Sequence, residues 1–413
     1  MDAKQGEHQV VAAVPISLGS LFWIFFRIAW TSFGGFMTMI SVVQDAVVDR
    51  RKLLTQHDML DGLSLASILP GPVAVNVVAY VGYRLRGASG AFVAAFASIL
   101  PAFVIFLGFS LAYFRWGHIP AVGKVFMGFV PAVTAIIAGA VWYMGRKSIL
   151  GVREALLAIA AALALVFIGG FFSTLAIIVV AGVVGWLWFR EPAATSAPLA
   201  PAGAKADPAG DAGKTRASGS AAHLFLVAGA PSAIGPLASF DPSLVGKVFV
   251  TFAGMSLFLF GGAYVFIPLI QEIVVDGNHW VTHQEFVDAV AMGQVTPGPV
   301  LVSAAFIGLK VAGLAGAIAA TAGIFVPSAI VMILCSRLLD RIKKSAIVKS
   351  ALRGIRPAVV GMIAAAVVSV AKTAAPVWLS VAIFAAALIA LLRFRVEAVW
   401  IIPAAGAVGF FAF

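Results

Sequence analysis

Two ten-residue stretches, ILPGPVAVNV at 68–77 and VTPGPVLVSA at 295–304, set Pro-Gly-Pro inside apolar sequence. In a continuous helix Pro70 and Pro72 would free the carbonyls of Ala66 and Ile68, and Pro297 and Pro299 those of Gly293 and Val295, because proline has no N–H to give. Each buried, unpaired carbonyl costs roughly a few kcal/mol, so the break has to face protein, water or a ligand rather than lipid. The pattern predicts a discontinuous helix in each stretch. Gly71 and Gly298 turn the chain, and Pro72 and Pro299 open a new half-helix, a position that suits proline. The amides of Val73, Ala74 and Val75, and those of Leu301, Val302 and Ser303, then point outward with the positive end of the helix dipole behind them. Such a terminus binds anions. The substrate-binding set read from sequence is therefore Pro70, Gly71, Pro72, Val73, Ala74, Pro297, Gly298, Pro299 and Val300, with Asn76 and Ser303 one turn further on.

Other polar residues join this set by position. Arg27, in LFWIFFRIAWTSFGG, lies within an apolar span, where insertion costs roughly 2.5–3.5 kcal/mol; it is read as a charge aimed at the anion. Its counterpart, Gly254, carries no charge, so that site would be asymmetric. Phe-Gly-Gly at 33–35 and 260–262 makes Gly34, Gly35, Gly261 and Gly262 candidates for a second helix break or for close helix packing. Gln44 with Asp45, and Gln271 with Glu272, are the candidate coupling residues, the two acids lying deepest of those near segment ends. Asp49, Asp58, Asp61, Asp276, Glu285 and Asp288 are read as solvated or helix-capping groups. Arg84 and Lys310 follow the breaks by about three turns and read as interfacial charges. His57, His118, His279 and His283 fall in loops; no metal cluster or nucleophile constellation is visible, and no cofactor is expected.

The elements that must carry these residues are set by composition. Of 413 residues 62% are hydrophobic and 11% charged, and mean hydropathy is +1.05. A soluble domain is about half apolar and a quarter charged. Stretches of about 20 apolar residues recur, too long for barrel strands, so the chain is an all-α polytopic membrane protein. The single cysteine, Cys335, excludes an intramolecular disulfide framework. The net charge of +11 sits in short loops between spans, which needs no nucleic-acid partner. The N-terminus shows no removable signal peptide.

Apolar segments fall at 18–48, 58–83, 88–114, 120–144, 150–168 and 170–189, and again at 244–275, 285–310, 313–336, 350–371, 375–392 and 396–413. Between them, 190–222 is a Pro/Ala/Gly/Ser linker, and 223–243 holds a weak apolar stretch readable as an extra crossing, for 12 to 13 segments in all. The halves, 1–189 and 244–413, are copies. A shift of 227 superposes Phe33-Gly34-Gly35 on Phe260-Gly261-Gly262, Gln44 on Gln271, Asp61 on Asp288 and Pro70-Gly71-Pro72 on Pro297-Gly298-Pro299; after one dropped residue, Gly82, Pro101 and Pro131 match Gly308, Pro327 and Pro357. Internal duplication is common among secondary transporter folds. DRRK at 49–52 is basic where DGNH at 276–279 lacks lysine and arginine, while the loop at 337–356 is basic where its first-half equivalent has only Arg115 and Lys124. These opposed biases favour inverted repeats, although Arg84, Arg86, Arg146 and Lys147 count the other way.

With Phe-Gly-Gly and Pro-Gly-Pro in both halves and a Gln/acidic pair between them, the sequence resembles the chromate ion transporter family in its long two-domain form, over 18–150 and 244–372. That resemblance implies a bacterial inner-membrane protein that exports chromate, giving resistance, with sulfate as a structural analogue. Both are tetrahedral dianions, suited to paired helix N-termini. The expected partners are chromate, the bilayer, protons as coupling ion and a second copy of the chain. Uptake or exchange of sulfate or another oxyanion is the alternative within transport. An enzyme would need a polar catalytic cluster within the spans, and a structural assembly protein would have no use for matched helix breaks.

Overall fold

A computed structural model of the chain describes residues 16–32, 36–117, 119–168, 171–189, 241–259, 266–338, 345–375 and 377–413. The linker at 190–222, the stretch at 223–240 and both Phe-Gly-Gly motifs, with Gly34, Gly35, Gly261 and Gly262, lie outside the described residues. The first half runs α1 (Leu18–Thr31), α2 (Phe36–Gln44) with a π-helical extension over Asp45–Arg50, α3 (Gln56–Ile68), α4 (Val73–Trp116), α5 (Pro120–Ser148), α6 (Val152–Phe167) and α7 (Phe171–Trp188). The second half keeps that order. It comprises α8 (Pro242–Leu257), α9 (Phe266–Ile270) with π-helical Gln271–Gly277, α10 (His283–Val295), a 3-10 turn (Val300–Ser303) leading into α11 (Ala304–Ser336), α12 (Ala346–Ala371), α13 (Trp378–Arg393) and α14 (Ala398–Ala412). Among the described residues all regular structure is helical. Among these residues four helices are long and apolar enough to cross a membrane: α4, α5, the 300–336 segment and α12. Phe96, Val104, Trp142, Leu163, Ile318 and Leu334 expose their side chains on the outside of the bundle, as a lipid-facing surface requires.

The Pro-Gly-Pro segments go further than the discontinuous helix read from sequence. Each break is present, but the chain folds back on itself. Thr55 caps α3 in a capping box with Asp58, and Thr282 does the same for α10 with Glu285. Gly62 lies against the Tyr80 ring, and Asp58 pairs with Arg84 at 2.5 Å; both pairs straddle the break symmetrically, so α3 and the first arm of α4 (73–85) form an antiparallel hairpin with Pro-Gly-Pro at its tip. In the second half Glu285 and Lys310 close the hairpin mouth at 2.5 Å. A second reversal follows. Arg86 and Gly87 leave helical geometry, with Gly87 at φ +64°, and so do Ala312 and Gly313, with Gly313 at φ +60°. Gly82 then packs directly on the Gly90 backbone, and Gly308 on that of Gly316. Beyond this turn the long arm of α4 (88–116) extends roughly 44 Å at about 1.5 Å per residue, enough for a bilayer core.

The halves are woven together. Gly354 and Gly361 of α12 sit against Gly185 of α7 and Ala158 of α6, while Gly128 and Gly139 of α5 sit against Ala405 of α14 and Leu391 of α13. Small residues let these backbones approach closely. The main core draws on both halves, including Phe106, Val130 and Ile137 with Leu259, Phe306 and Ile324.

Contacts sort the loops to two ends of the bundle. Tyr83 beside the first hairpin mouth accepts a hydrogen bond from Arg337 Nε, 3.2 Å away at the end of α11, and Arg353 Nε at the start of α12 lies 3.3 Å from Glu154 at the start of α6. At the other end Tyr113, near the end of α4, meets Asp288 of the second hairpin, and Lys247 of α8 lies over Trp280. The C-terminus of α5 and the N-terminus of α12 therefore share one end, and these two long helices run antiparallel.

The glycine crossings give a direct test. Gly82→Val or Gly308→Val drives a side chain into a facing backbone, and each should cost about 1–3 kcal/mol; the open position Gly108 tolerates Gly108→Ala. Thermal unfolding of purified protein should fall for the first two variants and hold for the third.

Candidate functional site

The tips of the two hairpins are held by the opposite halves. The Gly71 N–H donates to the Leu259 carbonyl at 2.8 Å, and the Gly298 N–H donates to the Ser32 carbonyl at 3.0 Å. Ser32 and Leu259 are equivalent positions, each just before a Phe-Gly-Gly motif, so the two bonds are one bond exchanged between halves. Gly71 has φ +106° and Gly298 φ +97°, a region that only glycine enters at little cost. Space makes the same demand. A Cβ on Gly71 would overlap the Ser328 side chain, and one on Gly298 would come within 3.0 Å of the Ala102 Cβ. Ser328 and Ala102 are again equivalent, each one residue past the proline of a long helix, Pro327 or Pro101.

Around the tips the expected residues are placed unevenly. Gly71, Pro72, Ala74, Asn76, Pro297, Gly298, Pro299 and Ser303 are buried; Pro70, Val73 and Val300 are half-buried. The first helical bond of α4 runs from the Asn76 N–H to the Pro72 carbonyl at 2.9 Å, which leaves the amides of Val73, Ala74 and Val75 without an acceptor in their own helix. The second tip differs from expectation. Its first turn tightens into a 3-10 turn, the Val302 N–H donates to the Pro299 carbonyl at 3.0 Å, and only Val300 and Leu301 keep amides free of their own turn. Asn76 donates from Nδ2 to the Pro70 carbonyl at 3.1 Å, bracing the tip, while its Oδ1 is buried with no partner among the described residues.

Arg27 does not join this group. The face of α1 that packs on α4 carries Leu21, Phe25 and Ile28, whereas Arg27 lies on the exposed flank with Trp23 and Trp30. Its position mid-span, which suggests a substrate-directed charge, says nothing about helix rotation; the buried stripe decides that. The coupling pairs also lie apart from the tips. Asp45 pairs with Arg50 at 2.7 Å, Gln44 and Glu272 are half-buried, and buried Gln271 donates to Ser369 Oγ at 2.6 Å. Arg84 and Lys310, read as interfacial charges, pair with Asp58 and Glu285 across the hairpin mouths. Among the described residues no group of three or more potential metal ligands occurs.

Two features escaped the sequence reading. The first is the pair of π-helical turns, Asp45–Arg50 and Gln271–Gly277; such turns occur frequently at functional sites. The second is Asp288, expected to be solvated or capping and instead 2% exposed. It accepts hydrogen bonds from Tyr113 Oη at 2.8 Å and Gln284 Nε2 at 2.9 Å. Tyr113 is 175 residues away in the chain, so no local pattern announces the pairing. A cavity of about 270 Å³ opens beside Tyr113 and Met292, and a separate one of about 530 Å³ has Arg153, Glu154 and Arg353 in its wall.

The sequence profile of a family described as Chromate transporter matches residues 19–186 and 246–410. The chain is 30% identical over 363 residues to the chromate transport protein of Cupriavidus metallidurans, covering 88% of this chain and 85% of that one. It is 28% identical over 408 residues to the chromate transport protein of Pseudomonas aeruginosa, covering 97% and 93%. A probable chromate transport protein of Synechococcus elongatus is 27% identical over 362 residues, covering 85% and 84%. No solved structure matches the chain.

Steric and conformational demands at the first tip can be separated. Gly71→Ala should destabilise the purified protein by about 2 kcal/mol or more, combining overpacking with left-handed strain. Adding Ser328→Gly removes the clash but not the strain, so thermal unfolding of the double variant should recover only in part.

Proposed function

Since the chain belongs to the chromate transporter family, we propose that it is a secondary active carrier that exports chromate across the bacterial inner membrane and so confers resistance to it. The observation that carries this reading is the reciprocal docking of the two hairpin tips. A tetrahedral dianion offers acceptor oxygens in several directions and needs donors that converge without strong counter-charges to trap it. Amides at two helix starts, pinned to the two halves by exchanged hydrogen bonds, supply such donors. Because each tip is anchored on the opposite half, a rocking of the halves would move the tips and expose the anion to one side at a time. Sulfate has the same charge and shape and should compete.

The orientation follows from charge. Arg50, Arg51, Lys52, Arg84 and Arg86 surround the first hairpin mouth, and Arg146, Lys147, Arg153, Lys349 and Arg353 lie at the same end. The opposite end has Arg115, Lys124, Lys247, Lys310 and Lys372. Positive residues concentrate in the cytoplasm, so the first end is cytoplasmic. A hairpin that returns to its own side also explains why Arg84 and Arg86 accompany Arg50 and Arg51. With α5 and α12 antiparallel, the repeats are inverted. Phe189 lies at the cytoplasmic end beside Arg353, and α8, which follows Asp241, lies with Lys247 at the other.

Two measurements test the reading. In inverted membrane vesicles the protein should accumulate chromate, with excess sulfate competing, and Pro72→Ala or Pro299→Ala should lower the rate about tenfold at equal membrane abundance by healing the break and withdrawing amides. Loss of neither rate nor affinity in both variants would place the anion elsewhere. Single cysteines replacing Lys52 and His279, in a Cys335→Ser background, should react with an impermeant thiol reagent from opposite faces; reaction from one face means parallel repeats.

A further inference from the structure

Asp288 sits where a carboxylate is expensive, on a hairpin helix inside the bundle, 2% exposed. Its two hydrogen-bond donors, Tyr113 and Gln284, are both neutral. On the elements packed against α10, the titratable groups at the end of the bundle where Asp288 lies are Tyr113 and Arg115 on α4, Lys124 on α5, and Glu272 and Asp276 on the π-helical turn; α14 contributes no titratable side chain. On its own helix, His283 lies 3.2 Å from Asp276, and Glu285 holds Lys310. Among the described residues Asp288 thus accepts hydrogen bonds from neutral donors and forms no ion pair, an arrangement in which gain and loss of a proton both lie within reach. Its counterpart in the first half is different. Asp61 has a side chain 22% exposed and lies 3.5 Å from His57 Nδ1, the residue equivalent to Gln284.

Tyr113 makes the group more than a buried acid. It belongs to the long arm of α4, the same helix whose Ala102 receives the second tip. The contacts of the second hairpin with the first half therefore include both the glycine tip and the Asp288–Tyr113 bond. The tyrosine ring is fixed by Phe126 and Phe306, with centroids 5.0 and 5.2 Å away. As a carboxylate, Asp288 accepts a charge-assisted bond from the phenol; as an acid it has only a neutral bond to offer, roughly half as strong.

We propose that Asp288 is the proton-binding site of this carrier and that Tyr113 transmits its protonation state to the contact between the second hairpin and the first half. This rests on the transport reading above. A proton arriving from the non-cytoplasmic end, where Asp288 lies, loosens the latch; its departure restores it. Inward movement of the proton would then be exchanged for outward movement of the anion.

The test uses the full-length protein in liposomes. Two modes are compared, chromate–chromate exchange without a gradient and chromate accumulation driven by a pH gradient. Asp288→Asn should retain one-for-one exchange and lose gradient-driven accumulation, together with the chromate-dependent proton movement reported by a pH dye. Asp288→Glu should restore part of both. Tyr113→Phe keeps the ring and removes only the hydroxyl; accumulation should fall about tenfold relative to exchange. If Asp288→Asn does not reach the membrane, the Tyr113→Phe ratio decides alone. Gradient-driven accumulation at the wild-type ratio in Tyr113→Phe, or in Asp288→Asn, overturns the assignment while leaving the carrier intact. Absence of chromate exchange in the wild type overturns the carrier reading itself, and this proposal with it.

Discussion

A hairpin tip placed deep in a membrane protein carries backbone N–H and C=O groups that its own helices cannot satisfy, and in hydrocarbon each would cost roughly several kcal/mol. Here the tip amides are satisfied from across the molecule, Gly71 by Leu259 and Gly298 by Ser32. That one exchange fixes much else. It demands glycine at two positive φ angles, small residues opposite at Ser328 and Ala102, and long helices running past both tips. It also makes the halves mutually dependent, since neither tip can be completed by its own half.

The chemistry around this frame is less symmetric than the frame. One tip starts a regular α-helix and the other a 3-10 turn. One hairpin mouth touches the far half through Arg337 and Tyr83, the other through Tyr113 and Asp288. Two nearly equivalent scaffolds with different latches can favour different protonation or ligand states.

Much of the scaffold was legible in the sequence because duplication repeats its punctuation. Proline and glycine report backbone geometry directly, so the turns at Gly71 and Gly298 could be read without coordinates, whereas the packing of Gly82 and Gly308 could not. Whether the chain continues or reverses after Pro-Gly-Pro could not be read, because both outcomes free the same carbonyls; the Asp58–Arg84 and Gly62–Tyr80 pairs settle it. Arg27 misled because a charge in an apolar run signals cost but not direction. Asp288 was hidden for the opposite reason. Three residues from a capping Glu285 it looks solvated, and its tyrosine partner comes from the other half of the chain.

The weaving of α6 and α7 onto α12, and of α13 and α14 onto α5, has a consequence for biogenesis. When a ribosome finishes α7, the surface this hairpin is shaped to cover does not yet exist; α12 is synthesised more than 150 residues later. The first half must wait in the bilayer with its glycine-lined grooves filled by lipid or by an insertion factor. Closure then trades those transient neighbours for permanent ones across a long sequence separation, a slow step by the logic of contact order. In the same way α14 completes a groove on α5 that was synthesised about 250 residues earlier, so a chain truncated before α14 would lack the partner for a helix it already possesses.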